Sequence, residues 1–532
     1  MPENAPIGPH DTYTSPLAAR NASPEMCRIW SPRHKFQTWR KIWLAVAEAQ
    51  YEVTKDWPQT QGRAPLVSPE QIEELRANLE VTDEDLALAA KYEAELRHDV
   101  MAHVHAWGDR CPKARPIIHL GMTSQDVVCN ADLAVLYEAK ELIQSKLELA
   151  VCGLGESAES QASIPTLAFT HYQAAQPTTV GRRISGWAYD LVLCEDRLST
   201  GYPLADNRGL RGATGTQASF MNLFGGDVDQ VDRFEMKFLA ARGELVPGAD
   251  ATSEPSQLCN EFDKVLSDAP LKKIAQQAAF QLTGQTYPRV YDTFILADLA
   301  SIASVLHKIA TDIRLLSNRK EIDEPFGKNQ IGSSAMPYKR NPMKCERICG
   351  LTRFVMNLVG NAYDTAATQW LERTLDDSSN RRLSLPEAFL ALDGALDLMH
   401  QVASGLVVNE AMVRKNLMAE LPFLATENIM MEAVKAGGDR QNLHEKIRVH
   451  AQAAGHRVKQ EGLDNDLIER LRNDDAFKSV HHLLTEDQLL DPMKYVGRSV
   501  EQTERFLREV VEPLRERYAG ELDKLGSSDR GV

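Results

Sequence analysis

The sequence predicts a mainly α-helical protein, and three observations carry that prediction. Apolar residues recur at helical spacing through long stretches, no region offers several short alternating strands divided by hairpin turns, and no unit of about 20 to 50 residues repeats along the chain. The clearest stretch holds Leu133, Leu136, Ile143, Leu147, Val151 and Leu154 in a segment rich in Ala, Leu, Glu and Lys. Apart from Ile143 and Val151, these residue types give up little freedom on entering a helix. The same texture returns at 291–319, 346–367, 386–407 and 498–519. Helices of this length with apolar residues on more than one side need neighbours on several faces, which predicts a helical bundle that also buries surface between subunits of a homo-oligomer.

At 532 residues and 43% apolar content the chain can build a sizeable core and two to four domains. No apolar run of about 18 residues or more stands out, so no membrane-spanning helix is expected. The opening MPENAPIGPHDTYTSPLAAR is polar and Pro-containing, without the apolar centre of a secretory signal or the Arg-rich pattern of a transit peptide, and a cytoplasmic location is expected. Eight cysteines are scattered without the close pairs of zinc or redox motifs and read as reduced thiols. The net charge of -15 disfavours nucleic acid and anionic membrane as partners. An anionic small molecule would therefore need basic residues gathered locally.

Gly, Pro and polar residues interrupt the helical pattern at 107–124, 201–217, 242–257 and 321–343. The first break sets a domain boundary, giving an N-terminal helical region 1–122, a central bundle 123–408 and a C-terminal helical region 409–532. The segment around 242–275 reads as a surface insertion lying away from any chemistry, since its Ser, Glu, Pro and Gly content offers little to a core.

The segment QIGSSAMPYKRNPMKCER (330–347) places two serines behind Gly332 and follows them with Lys339, Arg340, Asn341 and Lys344. Gly332, Pro337 and Pro342 break helix periodicity, so it reads as a loop able to close over a ligand. From composition alone a solvated connection is the alternative. In Arg97-His98-Asp99 with His103 and His105, Asp99 and His103 stand one helical turn apart, and His98 and His105 two. A shared metal-ligand face is geometrically open there, although HExxH and other ligand spacings are missing. Thr123 and Ser124 can cap a helix beginning near Asn130, contact a ligand, or both.

The pattern Gly-Ser-Ser-x-Met-x-x-Lys-x-Asn resembles the signature of the fumarase/aspartase superfamily. RHDVMAHVH (97–105), IHLGMTSQD (118–126), TLAFTHYQAAQPTTVGRR (166–183), GATGTQASF (212–220), TGQTYPR (283–289) and QWLERTLDDSSNRR (369–382) are similar to segments of its adenylosuccinate lyase family, of the eukaryotic type. The resemblance runs from about Arg20 to beyond Glu516. It implies three mostly helical domains, a central long-helix bundle, and a homotetramer whose active sites combine residues of three subunits. It also implies elimination of fumarate from adenylosuccinate and from the succinylated imidazole-carboxamide ribotide, with no metal and no cofactor.

That chemistry needs a base for a weakly acidic proton, cations for the dianionic carbanion, and an acid for the departing nitrogen. The resemblance gives Ser333 as the base, Lys339 and Asn341 as the oxyanion clamp, His171 as the acid and Glu346 as the carboxylate paired with it. Histidine suits the acid role because small environmental shifts tune its protonation near neutrality. For substrate binding the resemblance gives Arg20, Asn21, Arg97, His98, Asp99, Thr123, Ser124, Gln285, Arg347, Arg373, Ser378 and Arg382, with guanidinium groups suited to phosphate and carboxylate. The family has Arg-Tyr where this chain has Arg20-Asn21, so an aromatic hydroxyl is missing there. Sister lyases acting on argininosuccinate or malate would share the serine loop, but DDSSNRR matches a phosphate site. A serine hydrolase would need a G-x-S-x-G elbow, which Gly332-Ser333-Ser334-Ala335-Met336 is not. A silent helical scaffold would leave the basic and polar loop residues unexplained.

Overall fold

The computed structural model describes residues 12–200, 207–241, 279–485, 489 and 491–525; the expected insertion around 242–275 falls outside them. Helix after helix starts from a local sequence device. Ser23-Pro24 and Ser31-Pro32 open α1 (Pro24–Ile29) and α2 (Pro32–Thr54) alike, the serine hydroxyl accepting from the amide of Met26 or His34 while proline takes a position that needs no N–H. Thr82 opens α3 (Asp83–Leu96) with a capping box, and His98 caps α4 (Asp99–Arg110) with its own ring. The next helix, α5, runs Ser124–Ser160. It starts earlier than the expected Asn130 because Asp126 accepts the Thr123 amide at 2.8 Å and closes the first turn.

By contacts the chain divides into two compact units, each assembled from separated segments. Unit 1 comprises the described residues of Met1–Gln144, Asp196–Ser301 and Phe354–Gly394. Its core joins Trp39, Trp43 and Trp107 to Phe220, Phe234 and Phe238, burying α2 against α7 (Val228–Ala241), once α6 (Val180–Thr200) is counted in chain order. The break at 207–217 is pinned rather than loose. Fully buried Arg208 pairs with Asp126 at 2.5 Å, and the same carboxylate oxygen accepts from the amides of Arg211 and Gly212 at 3.0 Å. Satisfying so many donors on one carboxylate fixes the GATGTQ segment to the start of α5.

Unit 2 comprises the described residues of Ser145–Glu195, Ile302–Arg353 and Ala395–Val532. Further long helices are α8 (Val290–Asn318), α9 (Met343–Ala367) and α10 (Asp376–Ser404). Within this unit Lys146 of α5 pairs with Asp397 of α10 at 2.8 Å, and Trp187 of α6 donates to Asp312 of α8 at 2.8 Å. Leu147, Val151, Leu154 and Ala158 form a fully buried stripe on α5, and Ile302, Leu306, Ile309 and Ile313 another on α8. Helix α8 has the length and composition to cross a bilayer, against the sequence expectation. The residues that make it so include this stripe, buried inside the protein instead. A separate C-terminal cluster gathers Ile429, Leu443, Leu467, Leu471 and Phe477.

The fold is mainly α, as the periodicity predicts, with two short strand pairs among the described residues. Strands β1 (Pro165–Thr170) and β2 (Gln173–Thr179) form an antiparallel hairpin, and β3 (Ile322–Asp323) pairs with β4 (Val407–Val408). The hairpin turn consists of His171 and Tyr172 alone, with φ of 53° and 56°. A two-residue turn left-handed at both positions suits strand twist, and Asn or Gly ordinarily supplies it. Neither is present, so the usual hairpin signal is missing from the sequence.

Candidate active site

In unit 1, a cavity of about 770 Å³ is lined by Arg97, His98, Asp99, Thr123, Ser124, Gln285, Arg373, Ser378 and Arg382, so nine of the expected substrate-binding residues meet in one place. The junction between α3 and α4 presents the first three. Arg97 ends α3 in a left-handed conformation, and His98 Nδ1 accepts the Met101 amide at 3.4 Å. A neutral imidazole accepting at Nδ1 carries its proton on Nε2, which faces Ser124 Oγ at 3.4 Å. Asp99 accepts from the Val100 amide at 2.8 Å and from Arg382 at 2.9 Å. Burial alone would raise its pKa, but the Val100 amide, Arg382 and Lys35 together outweigh burial and hold the carboxyl below its ordinary range.

The opposite wall is the start of α10. Asp377 is buried and takes Arg289 at 2.8 Å and Arg373 at 3.5 Å, while Arg373 donates to Gln285 at 3.0 Å. Gly284 lets the chain before Gln285 approach Glu372 closely, for a Cβ there would lie 2.5 Å from the Glu372 carbonyl oxygen. Arg381 reaches Asp292 at 2.6 Å, Asp132 at 3.0 Å and the Tyr287 hydroxyl, tying α10 to α8 and α5 behind the cavity. Sequence reasoning passed over Lys35, Asp132, Arg289, Asp377 and Arg381. Arg289 and Arg381 were within reach, since they stand inside TGQTYPR and DDSSNRR.

Arg20 and Asn21 are not among the cavity's lining residues. Arg20 is exposed on the turn Leu17–Asn21, and Asn21 donates its amide to the Pro16 carbonyl at 2.9 Å, closing that turn. Histidines 103 and 105 do not join His98 and Asp99 in a ligand set; among the described residues no such cluster of three or more forms. His103 stacks on Phe36 at 3.7 Å, and His105 lies 5.3 Å from the ring of Tyr92.

Unit 2 holds Ser333, Lys339, Asn341, Glu346, Arg347 and His171. The serine loop is anchored at its base and narrowed at its neck. Buried Glu324 accepts the amides of Lys344 and Cys345 at 3.0 and 2.9 Å, joining the chain entering the loop to the first turn of α9. Nearer the tip, Asn341 donates to the Gly332 carbonyl at 2.8 Å, and a Cβ on Gly332 would collide with the Lys339 carbonyl oxygen. Above this neck Ser333 Oγ accepts from two backbone amides, Ala335 at 3.3 Å and Met336 at 3.1 Å. Two N–H donors aimed at one hydroxyl oxygen stabilise negative charge on it, which eases loss of the hydroxyl proton.

Lys339 extends into solvent from the same loop, and Arg340 folds back over the Phe326 ring at 5.3 Å. Glu346, in the first turn of α9, lies 3.9 Å from Arg314. Among the described residues no hydrogen bond or ion pair joins Glu346 to His171, which stands exposed at the hairpin tip. Two adjacent non-glycine residues in left-handed conformations are strained, a cost that recurs at functional sites.

Known proteins match this chain over nearly its whole length. A family model described as lyase covers residues 19–222 and 229–357, and one described as adenylosuccinate lyase C-terminus covers 422–506. The adenylosuccinate lyase of Saccharomyces cerevisiae is 43% identical over 502 residues, covering 94% of this chain and 95% of its own. That of Schizosaccharomyces pombe is 44% identical over 509 residues, with 94% and 95% covered. The chain belongs to the adenylosuccinate lyase family. Among solved structures, fumarate lyase from Mesorhizobium sp. superposes with a TM-score of 0.72 at 18% identity, covering 92% of this chain and 98% of its own. The 3-carboxy-cis,cis-muconate lactonizing enzyme of Pseudomonas putida gives 0.71 at 22%, covering 94% and 99%. These two share the fold, and together with the lyase family model they place it in the fumarase/aspartase superfamily.

Proposed function

We infer that this chain releases fumarate from adenylosuccinate to give AMP, and from the succinylated imidazole-carboxamide ribotide to give the free amine, two steps of purine nucleotide synthesis. The observation that carries the reading is the near full-length match to adenylosuccinate lyases at 43 and 44% identity. The geometry supports it. An anionic nucleotide needs local positive charge in a protein of net charge -15, and the unit 1 cavity supplies arginines and a helix start.

Ser333 Oγ takes the proton from the carbon beside the reacting carboxylate, with the Ala335 and Met336 amides stabilising the oxygen beforehand. The electron pair left on carbon spreads into that carboxylate, where Lys339 balances its growing charge and Asn341 holds the loop neck. The pair then forms the double bond of fumarate as the C–N bond breaks. His171 protonates the leaving nitrogen, and Glu346, which makes no contact with His171 of its own chain among the described residues, supports it where a site joins the two from different subunits. No metal or cofactor is called for by this acid–base scheme.

The reading includes a homotetramer whose sites draw Ser333 and His171 from different subunits, and a three-region order 1–122, 123–408 and 409–532. Support for assembly comes from Tyr189 and Leu193 on α6 and Phe354 and Tyr363 on α9, large apolar side chains left exposed on long helices. It also includes a cytoplasmic setting, supported by the seven described cysteines being thiols rather than disulfides. The deciding experiment mixes chelator-treated protein with adenylosuccinate and follows purine absorbance and fumarate. Turnover is expected with both substrates. An inactive chelated enzyme revived by zinc would defeat the acid–base scheme.

A further inference from the structure

The cations of the unit 1 cavity fall into two kinds. Arg289 is held by Asp377, Arg381 by Asp292 and Asp132, Arg373 by Gln285 and Asp377, and Arg382 by Asp99. Their positions are set by the protein's own acceptors. Lys35 is different. It stands in the first turns of α2, lines the same cavity, and among the described residues its ammonium takes part in no hydrogen bond or ion pair.

Aromatic rings stand beside it, with Nζ 5.2 Å from the centre of the Phe36 ring and 4.9 Å from that of Trp39. Burial and then Arg382 lower its pKa, against the weaker individual attractions of Asp132, Asp99 and Glu93. A half-buried ammonium carries three donors and meets less water than a free one, so an acceptor placed beside it is favourable. An anionic oxygen entering the cavity supplies that acceptor.

We propose that Lys35 is a further substrate-binding residue, its ammonium receiving a phosphate or carboxylate oxygen of the ligand that fills the unit 1 cavity. This rests on reading that cavity as the substrate site. The residue carries no motif of its own. It is placed by the serine-proline cap that starts α2 and by the aromatic side chains that hold its stem.

The test replaces the charge and keeps the stem. In Lys35→Met, KM for adenylosuccinate should rise about tenfold or more, by a larger factor than kcat falls, because a charge-assisted contact made in ground and transition states alike is lost. Lys35→Arg should recover part of that loss, which a purely packing role would not produce. AMP separates the two sources of the oxygen. Weaker AMP binding by calorimetry in Lys35→Met assigns the phosphate, whereas unchanged AMP affinity with raised KM assigns a carboxylate.

Unchanged KM and AMP affinity in Lys35→Met overturn the proposal, and so does a fall in kcat alone. Where the methionine variant does not fold, Lys35→Gln carries the same measurements. Wild-type turnover is measured first. If the wild type binds AMP without cleaving adenylosuccinate, the proposed function fails while Lys35 is still judged on AMP affinity.

Discussion

The cavity wall of unit 1 and the serine loop of unit 2 are built by opposite means. In the wall, Arg381 and Arg289 are buried with Asp292 and Asp377, so each guanidinium is fixed before any ligand arrives. In the loop, a few hydrogen bonds hold the base and neck, while the stretch from Ser334 to Arg340 is exposed. Buried ion-paired groups resist rearrangement, and sparsely bonded exposed backbone does not. On the proposed function, groups set in advance would hold the substrate and groups that can still move would act on it.

The sharpest way to break this comparison is to remove the reacting groups. Ser333→Ala and His171→Ala should each lose turnover by about 10²- to 10⁴-fold, the usual contribution of a positioned acid or base. If the two residues of a site come from different subunits, dissociating and reassociating a mixture of the two variants should restore both groups at roughly a quarter of sites. Each variant treated alone is the control. Verified mixed tetramers without recovered activity would place both groups within one subunit.

A smaller effect is expected on the binding side. Arg382→Ala should raise KM about tenfold while changing kcat less, since the side chain contacts a group that does not react. Steady-state kinetics beside Ser333→Ala would show the contrast, and an unchanged KM would remove Arg382 from the nucleotide's surroundings.

The smallest effect concerns protons in the scaffold of the wall. Burial, then Arg40 and Lys35, lower the His103 pKa from 6.5 to about 4. The unfolded chain therefore takes up this proton first as pH falls. The stabilising contribution is whole above the unfolded value of 6.5 and is lost progressively down to about 4. His119 is lowered to about 4 as well and adds to the same slope. Denaturant titrations between these limits should show His103→Asn with a shallower dependence on pH than the wild type, and an identical slope would contradict the assignment.

What the sequence disclosed follows the same division. The long helices were legible because their apolar period is a property of the residues themselves, and the serine loop because Gly332, Pro337 and Pro342 interrupt that period. The hairpin under His171 was not, since its turn takes left-handed φ from His and Tyr rather than from Gly or Asn. The start of α5 was misplaced by six residues because Asp126 both caps the helix and receives Arg208, and only the second partner requires the fold. Lys35 and Asp132 were invisible for a related reason: a charged residue in an amphipathic helix looks the same whether it faces water or a cavity.

Gly332 has a consequence for inheritance. Its α-hydrogens face the Lys339 carbonyl oxygen across the loop neck, where a Cβ has no room. Every codon change that alters this residue adds at least that carbon, so alanine is no gentler in kind than valine or arginine. Position 332 has no conservative missense allele, and a clinical or breeding variant there would be expected to behave as a lesion of the serine loop whichever amino acid it encodes.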